Sequence, residues 1–484
     1  MKKIIVNRSH IDITDYELGE NPSFEKSLST YDRMYYKYNP IGFIYEKENK
    51  IMKVSSGLDL NYLSSKLDRI VENNYECDPY ESISIRLKGL PRSKLQQEAI
   101  QFLVGEGDFS YSRVYSQLML NLDTGEGKTY CAIAASTFLK SRVLIITHQT
   151  NIKTQWIDAY LNFTDIDERC IVNLDSSARI ERYLNDERKL KHVKVFTVNH
   201  ATLRSIVNHY GVEYLTEMFK TLKIGLKIYD EAHLEFENIL LIDSYTNTKK
   251  TIYLTATVGR SNIDENKIYM SCFKGIPKYE QVGHGYTDSR KHITYLAYFY
   301  NSNPSYMEKV HCTNKYGFDG IKYSKYQTNH AERLLPHLVA LIKKFANDPT
   351  YTCLVTMATI DGCDAYQYLL QEEFPDMNIK VYHSKLNKNE KDEALEKANI
   401  IVSTSKSLGT GKNIPNLRVV INCEAFGSKI IGIQTSGRLR VLPDGKNSLY
   451  VEMIDLGFKN IKNQYNRRLK HYKQTFGKLI SVTN

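Results

Sequence analysis

Short apolar runs that break off into polar or glycine-containing stretches set the rhythm of most of this chain. Residues 118–122, 143–146, 194–197, 228–229 and 251–253 follow it, and it returns at 293–300, 353–356, 379–382, 400–403 and 419–422. Runs of this kind predict buried parallel strands, each handing a loop to the C-terminal edge of a sheet. Helical stretches such as 331–345 separate them, so two successive α/β domains are expected. Gly275, Pro277, Gly283 and Gly285 mark the joint near 275–290. The expected division is 1–88, 89–278 and 279–484. The first segment, rich in Tyr, Asn and Ser, carries no catalytic pattern and reads as a small accessory domain.

Composition narrows the class. With 484 residues and 42% apolar content the chain can build ordinary cores. None of its eight cysteines forms a C-x-x-C pair, which speaks against a zinc ribbon and a disulfide framework. No apolar stretch reaches membrane-spanning length, and the start has only three apolar residues before polarity returns. A soluble, cytoplasmic protein without zinc or membrane segments is expected, with a monomer as the simplest state.

The net charge of +10 sits unevenly. Basic and acidic residues number 13 and 14 over 1–88, 24 and 22 over 89–278, but 28 and 19 over 279–484. From Phe458 onward there are seven basic residues and no acid. Such a tail suits a phosphate backbone, and equally a solvated helix. Most of the 36 tyrosines read as core or half-buried strand residues, since tyrosine favours strands.

Chemistry concentrates after the apolar run 118–122. Thr124-Gly125-Glu126-Gly127-Lys128-Thr129 precedes a helix-forming stretch, the setting of a phosphate-binding loop. There, backbone N–H groups cradle phosphates, Lys128 reaches the β/γ oxygens and Thr129 holds Mg²⁺. Leu122 stands where the strict pattern has its first glycine. Downstream, Asp230-Glu231-Ala232-His233 closes another strand: Asp230 would bind Mg²⁺ and Glu231 polarise the attacking water. Thr255-Ala256-Thr257 closes the next. Each of the two tetrads or triads alone is a common surface sequence; order and spacing give them weight.

In this order the segments resemble superfamily 2 helicases of the DEAH-box type, over about residues 90–480. The resemblance implies two tandem RecA-like domains gripping ATP in a shared cleft, behind a small N-terminal α+β domain. Arg92 and Gln96 are similar to the adenine-reading segment, Gln155-Trp156 to the end of motif Ia, and Ser403-Thr404 with Gly409–415 to motif V. Gln434-Thr435-Ser436-Gly437-Arg438-Leu439-Arg440 resembles motif VI, whose arginines reach the γ-phosphate. The second arginine usually falls where Val441 stands; Arg440 comes one residue early, about 100° away on a helix. Arg438 is therefore the expected finger. His233, Thr255, Thr257 and Gln434 would couple the ATP site to nucleic acid, and Thr147, Thr197, Thr356 and Thr404 would touch its backbone.

Within the superfamily, 38–40, 57–58, 329–333 and 467–472 look like phage recombination helicases of the UvsW type. That implies ATP and Mg²⁺ as cofactors and single-stranded, forked or branched DNA as partner. An RNA helicase, a transcript-releasing ATPase, a restriction-type translocase and a non-catalytic nucleic-acid-binding protein stay open as alternatives. Residues 1–88 are expected to choose the substrate by shape or stacking and to be dispensable for ATPase, while the basic tail adds salt-sensitive affinity.

Overall fold

A computed structural model describes residues 2–483 apart from 33, 124, 257–262, 281–290, 316, 406, 408–413, 427–431, 433–434, 440–441 and 443; the side chains at 151, 263, 280 and 474 are also left undescribed. The chain divides into two compact units, Met1–Gln281 and Val282–Asn484.

The first unit begins with seven strands: β1 (Lys3–Val6), β2 (His10–Ile13), β3 (Ser29–Asp32), β4 (Lys37–Pro40), β5 (Phe43–Glu46), β6 (Ile51–Ser55) and β7 (Ile70–Asn73). Five make a sheet in the order β5-β6-β2-β1-β7, with β1–β7 its parallel pair, and β3 and β4 form a separate antiparallel hairpin. Asn21 and Asp59 cap the short helices Pro22–Ser27 and Leu60–Lys66 through their side-chain oxygens.

Seven parallel strands follow: β8 (Gln117–Asn121), β9 (Val143–Thr147), β10 (Ile171–Leu174), β11 (Val195–Asn199), β12 (Leu226–Tyr229), β13 (Lys250–Thr255) and β14 (Lys278–Glu280), in the order β10-β11-β9-β12-β13-β8-β14. All of β8, β9, β12 and β13 is buried, which is why the sequence shows unbroken apolar runs there. Every strand runs the same way, so the loops after β8, β9, β12 and β13 open on one edge.

Residues 1–73 do not stand apart from this body. Ile4, Ile11, Phe24 and Leu28 belong to the same apolar cluster as Phe236, Tyr269 and Cys272. Ser55 Oγ donates to the Cys272 carbonyl at 2.6 Å, the Gly275 amide to the Gly57 carbonyl at 2.7 Å, and Arg8 to the Lys249 carbonyl at 2.8 Å. A Cβ at Gly57 would collide with the Cys272 carbonyl, so the close approach requires glycine. Residues 78–88 then strap the parallel sheet that follows through backbone bonds to Lys140, Arg142, Phe163, Lys223 and Asn247.

The second unit holds β15 (Ile293–Tyr300), the small hairpin β16 (Thr313–Asn314) and β17 (Gly317–Phe318), then β18 (Thr352–Met357), β19 (Ile379–Tyr382), β20 (Ile400–Thr404), β21 (Leu417–Asn422), β22 (Ser448–Asp455) and β23 (Lys478–Thr483). The sheet is again parallel, ordered β19-β20-β18-β21-β22-β15-β23, with β23 adding beside β15 after the helix Lys459–Thr475. Both parallel sheets belong to RecA-like α/β domains.

Candidate functional site

The loop after β8 turns into the helix Lys128–Leu139 through Gly125 and Gly127, at φ 93° and 87°. Both sit in the left-handed region, where glycine carries no steric penalty. Gln96 fixes the loop from behind: its Nε2 donates to the Glu126 carbonyl at 2.8 Å and its Oε1 accepts from the Arg92 amide at 3.0 Å. The Arg92 guanidinium donates to the Gly125 carbonyl. Lys128 is almost buried, and its Nζ donates to the Leu122 and Asp123 carbonyls at 3.0 and 3.4 Å. An ammonium folded onto loop carbonyls, beside amides at a helix N-terminus, is a donor set for a polyphosphate.

β12 delivers the acids. The Asp230 amide bonds the Ile146 carbonyl on β9 at 3.0 Å, and the Ala232 amide bonds the Leu254 carbonyl on β13 at 2.9 Å. Between them Glu231 is held at φ 50°, a conformation that costs a non-glycine residue on the order of 1 kcal/mol. Glu231 is buried, and its Oε2, 3.4 Å from His233 Nδ1, makes no hydrogen bond among the described residues. Burial, and then the neighbouring Glu231 charge, pushes the Asp230 carboxyl up from its ordinary pKa; burial does the same to Glu231 against the pull of Lys128. The Trp156 indole opposes this at Asp230, donating to Oδ2 at 2.9 Å. Asp230, Glu231 and Thr129 carry carboxylate and hydroxyl groups, hard oxygen donors of the kind that suit Mg²⁺.

His233 joins this site to the next strand end: its Nδ1 lies 3.0 Å from Thr255 Oγ1 and 3.4 Å from Glu231 Oε2. Two residues that the sequence names as couplers are thus in contact. Beneath them a buried network holds β12 to β13, a feature that sequence reasoning missed. Lys227 Nζ sits 2.6 Å from Asp243, which also accepts from the Tyr229 hydroxyl at 2.8 Å and the Tyr253 hydroxyl at 2.5 Å. The available signal was a lysine inside the strand Leu226-Lys227-Ile228-Tyr229, which burial forces to find an acid.

The four threonines expected at the nucleic-acid backbone need correction. Thr147, Thr197 and Thr356 are wholly buried and Thr404 nearly so. Their hydroxyls are taken up by Asn199 at 2.9 Å, Asn173 at 3.3 Å, Asn422 at 2.8 Å and Ser407 at 2.7 Å. Buried at or near the ends of their strands, they order the loops; after Thr147 and Thr356 the first exposed positions are Thr150 and Asp361.

In the second unit Arg438 is buried, beside Ser436 and Leu439. Arg468 is turned inward, paired with Glu452 and donating to the Phe426 carbonyl. Thr124, Thr257, Gly409, Gln434 and Arg440 lie outside the described residues.

A family described as "Type III restriction enzyme, res subunit" matches residues 90–260, and "Helicase conserved C-terminal domain" matches 333–441. A curated protein of Haloarcula marismortui, "Putative DNA 3'-5' helicase Rad25", is 26% identical over 145 residues, 30% of this chain. The chain spans only 20% of that relative's length. Among solved structures, S. cerevisiae Dbp5 bound to RNA and ADP BeF3 is similar with a TM-score of 0.54 at 14% identity, over 81% of this chain and 90% of that one. T4 UvsW aligns over 100% of both chains at 16% identity with a TM-score of 0.37.

Proposed function

Because the chain belongs to the superfamily 2 helicases, we propose that it is an ATP-driven DNA helicase or translocase that remodels forked or branched DNA. The observation that carries the reading is the shared edge of one parallel sheet. Lys128 after β8, Asp230 and Glu231 after β12, and the His233–Thr255 contact at β13 meet there.

Lys128 would leave its loop carbonyls for the β/γ oxygens of ATP, with Gln96 and Arg92 at the base side. Thr129 and Asp230 would hold Mg²⁺, which neutralises charge on the phosphates. Glu231, whose Oε2 makes no hydrogen bond among the described residues, would orient the attacking water. Arg438 is assigned to the γ-phosphate by its motif. Hydrolysis would change the demands on Glu231, and His233 would pass that change to Thr255 and on to the nucleic-acid side. DNA is favoured over RNA by the description of the curated relative.

The test is ATPase rate with single-stranded, duplex, forked and four-way DNA and with RNA. Stimulation by forks and junctions beyond single strands supports the reading. Stimulation by RNA alone makes the chain an RNA helicase, and no stimulation by any nucleic acid removes the motor.

A further inference from the structure

Four of the twelve exposed tyrosines among the described residues crowd into eight positions. They sit on the β3–β4 hairpin: Tyr31 is 47% exposed, Tyr35 68%, Tyr36 81% and Tyr38 46%, with Met34 at 55% between them. Tyr31 and Tyr38 pair across the two strands, ring centroids 5.1 Å apart.

The turn is built to hold these rings outward. Asp32 accepts from the Met34 and Tyr35 amides at 2.8 and 3.2 Å, which engages the acid of the tip within its own turn. Tyr36 is held at φ 51°, where Gly or Asn would be cheaper, yet the side chain there is the most exposed tyrosine in the described chain. Two exposed lysines lie over the rings, Lys26 Nζ 5.3 Å from Tyr38 and Lys37 Nζ 5.7 Å from Tyr35.

Flat aromatic faces with ammonium groups beside them complement a nucleobase and its phosphate. Inside a duplex each base face is covered by its neighbours; only unpaired bases and the last pair of a duplex leave one open. Resting on the motor reading, we propose that this hairpin stacks on the open base faces where duplex gives way to single strand.

A fork carrying 2-aminopurine at the unpaired position next to the duplex end tests this. The parent protein should change the probe's fluorescence. Tyr35→Ala/Tyr36→Ala should abolish that change and weaken fork binding by roughly tenfold or more. Tyr35→Phe/Tyr36→Phe should keep both, since the stacking face remains. ATPase at saturating single-stranded DNA should match the parent in all variants, and unchanged thermal melts establish folding. A folded alanine variant with parental probe signal and fork affinity overturns the hairpin assignment while leaving the motor intact, even if the patch captures a protein. A parent whose ATPase no nucleic acid stimulates overturns both.

Discussion

At the scale of single residues, the chemistry turns on how burial treats two adjacent acids. Asp230 and Glu231 are both pushed up, first by burial, and Asp230 is restrained by the Trp156 indole. Both must be ionised to act, so turnover should fall as pH drops through their raised pKa values, above the ordinary carboxylate range. Trp156→Phe removes the restraining donor. Its acid limb should move to higher pH and its Mg²⁺ requirement should rise several-fold; kcat against pH at fixed subsaturating Mg²⁺ measures this. An unmoved limb means that the indole does not hold Asp230. Glu231→Gln should bind ATP yet lose about 10²–10⁴ in turnover, whereas Lys128→Ala should lose ATP binding itself; nucleotide binding and ATPase measured together separate the two. Arg438→Ala should lower turnover by about 10³ if the motif assignment is right. Near-parental kcat at saturating ATP and DNA would remove Arg438 from the reaction.

Elements divide what was readable from what was not. The strand runs were legible because parallel sheets bury both faces, and the site followed because it lies where those runs stop. The contact threonines misled, since a hydroxyl at a strand end reads the same whether it faces solvent or an asparagine behind it. Arg142 was invisible for a related reason: wholly buried, it donates to three carbonyls, at Val193, Leu222 and Leu190, which no local pattern announces. The basic tail was legible as charge but not as a helix with two faces. In Lys459–Thr475, Lys459, Lys462, Arg467, Lys470 and Lys473 are exposed, while Ile461, Tyr465, Arg468 and Tyr472 are buried. Reversing Arg467 and Lys470 to Glu should therefore weaken binding to any nucleic acid and flatten the log–log salt slope by roughly 2, measured by titration at several salt concentrations. Arg468→Glu should instead unfold the second unit, because it sets an acid against buried Glu452. Equal melting temperatures for the two variants would refute this division of the helix.

For the whole molecule, the accessory segment is structural before it is anything else. The expectation that residues 1–88 could be removed with ATPase intact conflicts with the core they share with Phe236, Tyr269 and Cys272. Truncation would uncover those side chains and strip the strap at 78–88 from the motor sheet. The truncated chain should aggregate or melt well below the parent; thermal unfolding and size-exclusion chromatography decide it. A monodisperse truncation with parental melting would show that the module is a passenger.

The same attachment sets the order in which the protein is made. Ser55 must wait for Cys272, 217 residues later in the chain. At roughly 5–20 residues per second on the ribosome, the module's sheet would wait tens of seconds for Phe236, Tyr269 and Cys272, which complete its apolar cluster. During that interval it is a natural client for a nascent-chain chaperone, and the pace of translation through 200–276 becomes a determinant of yield.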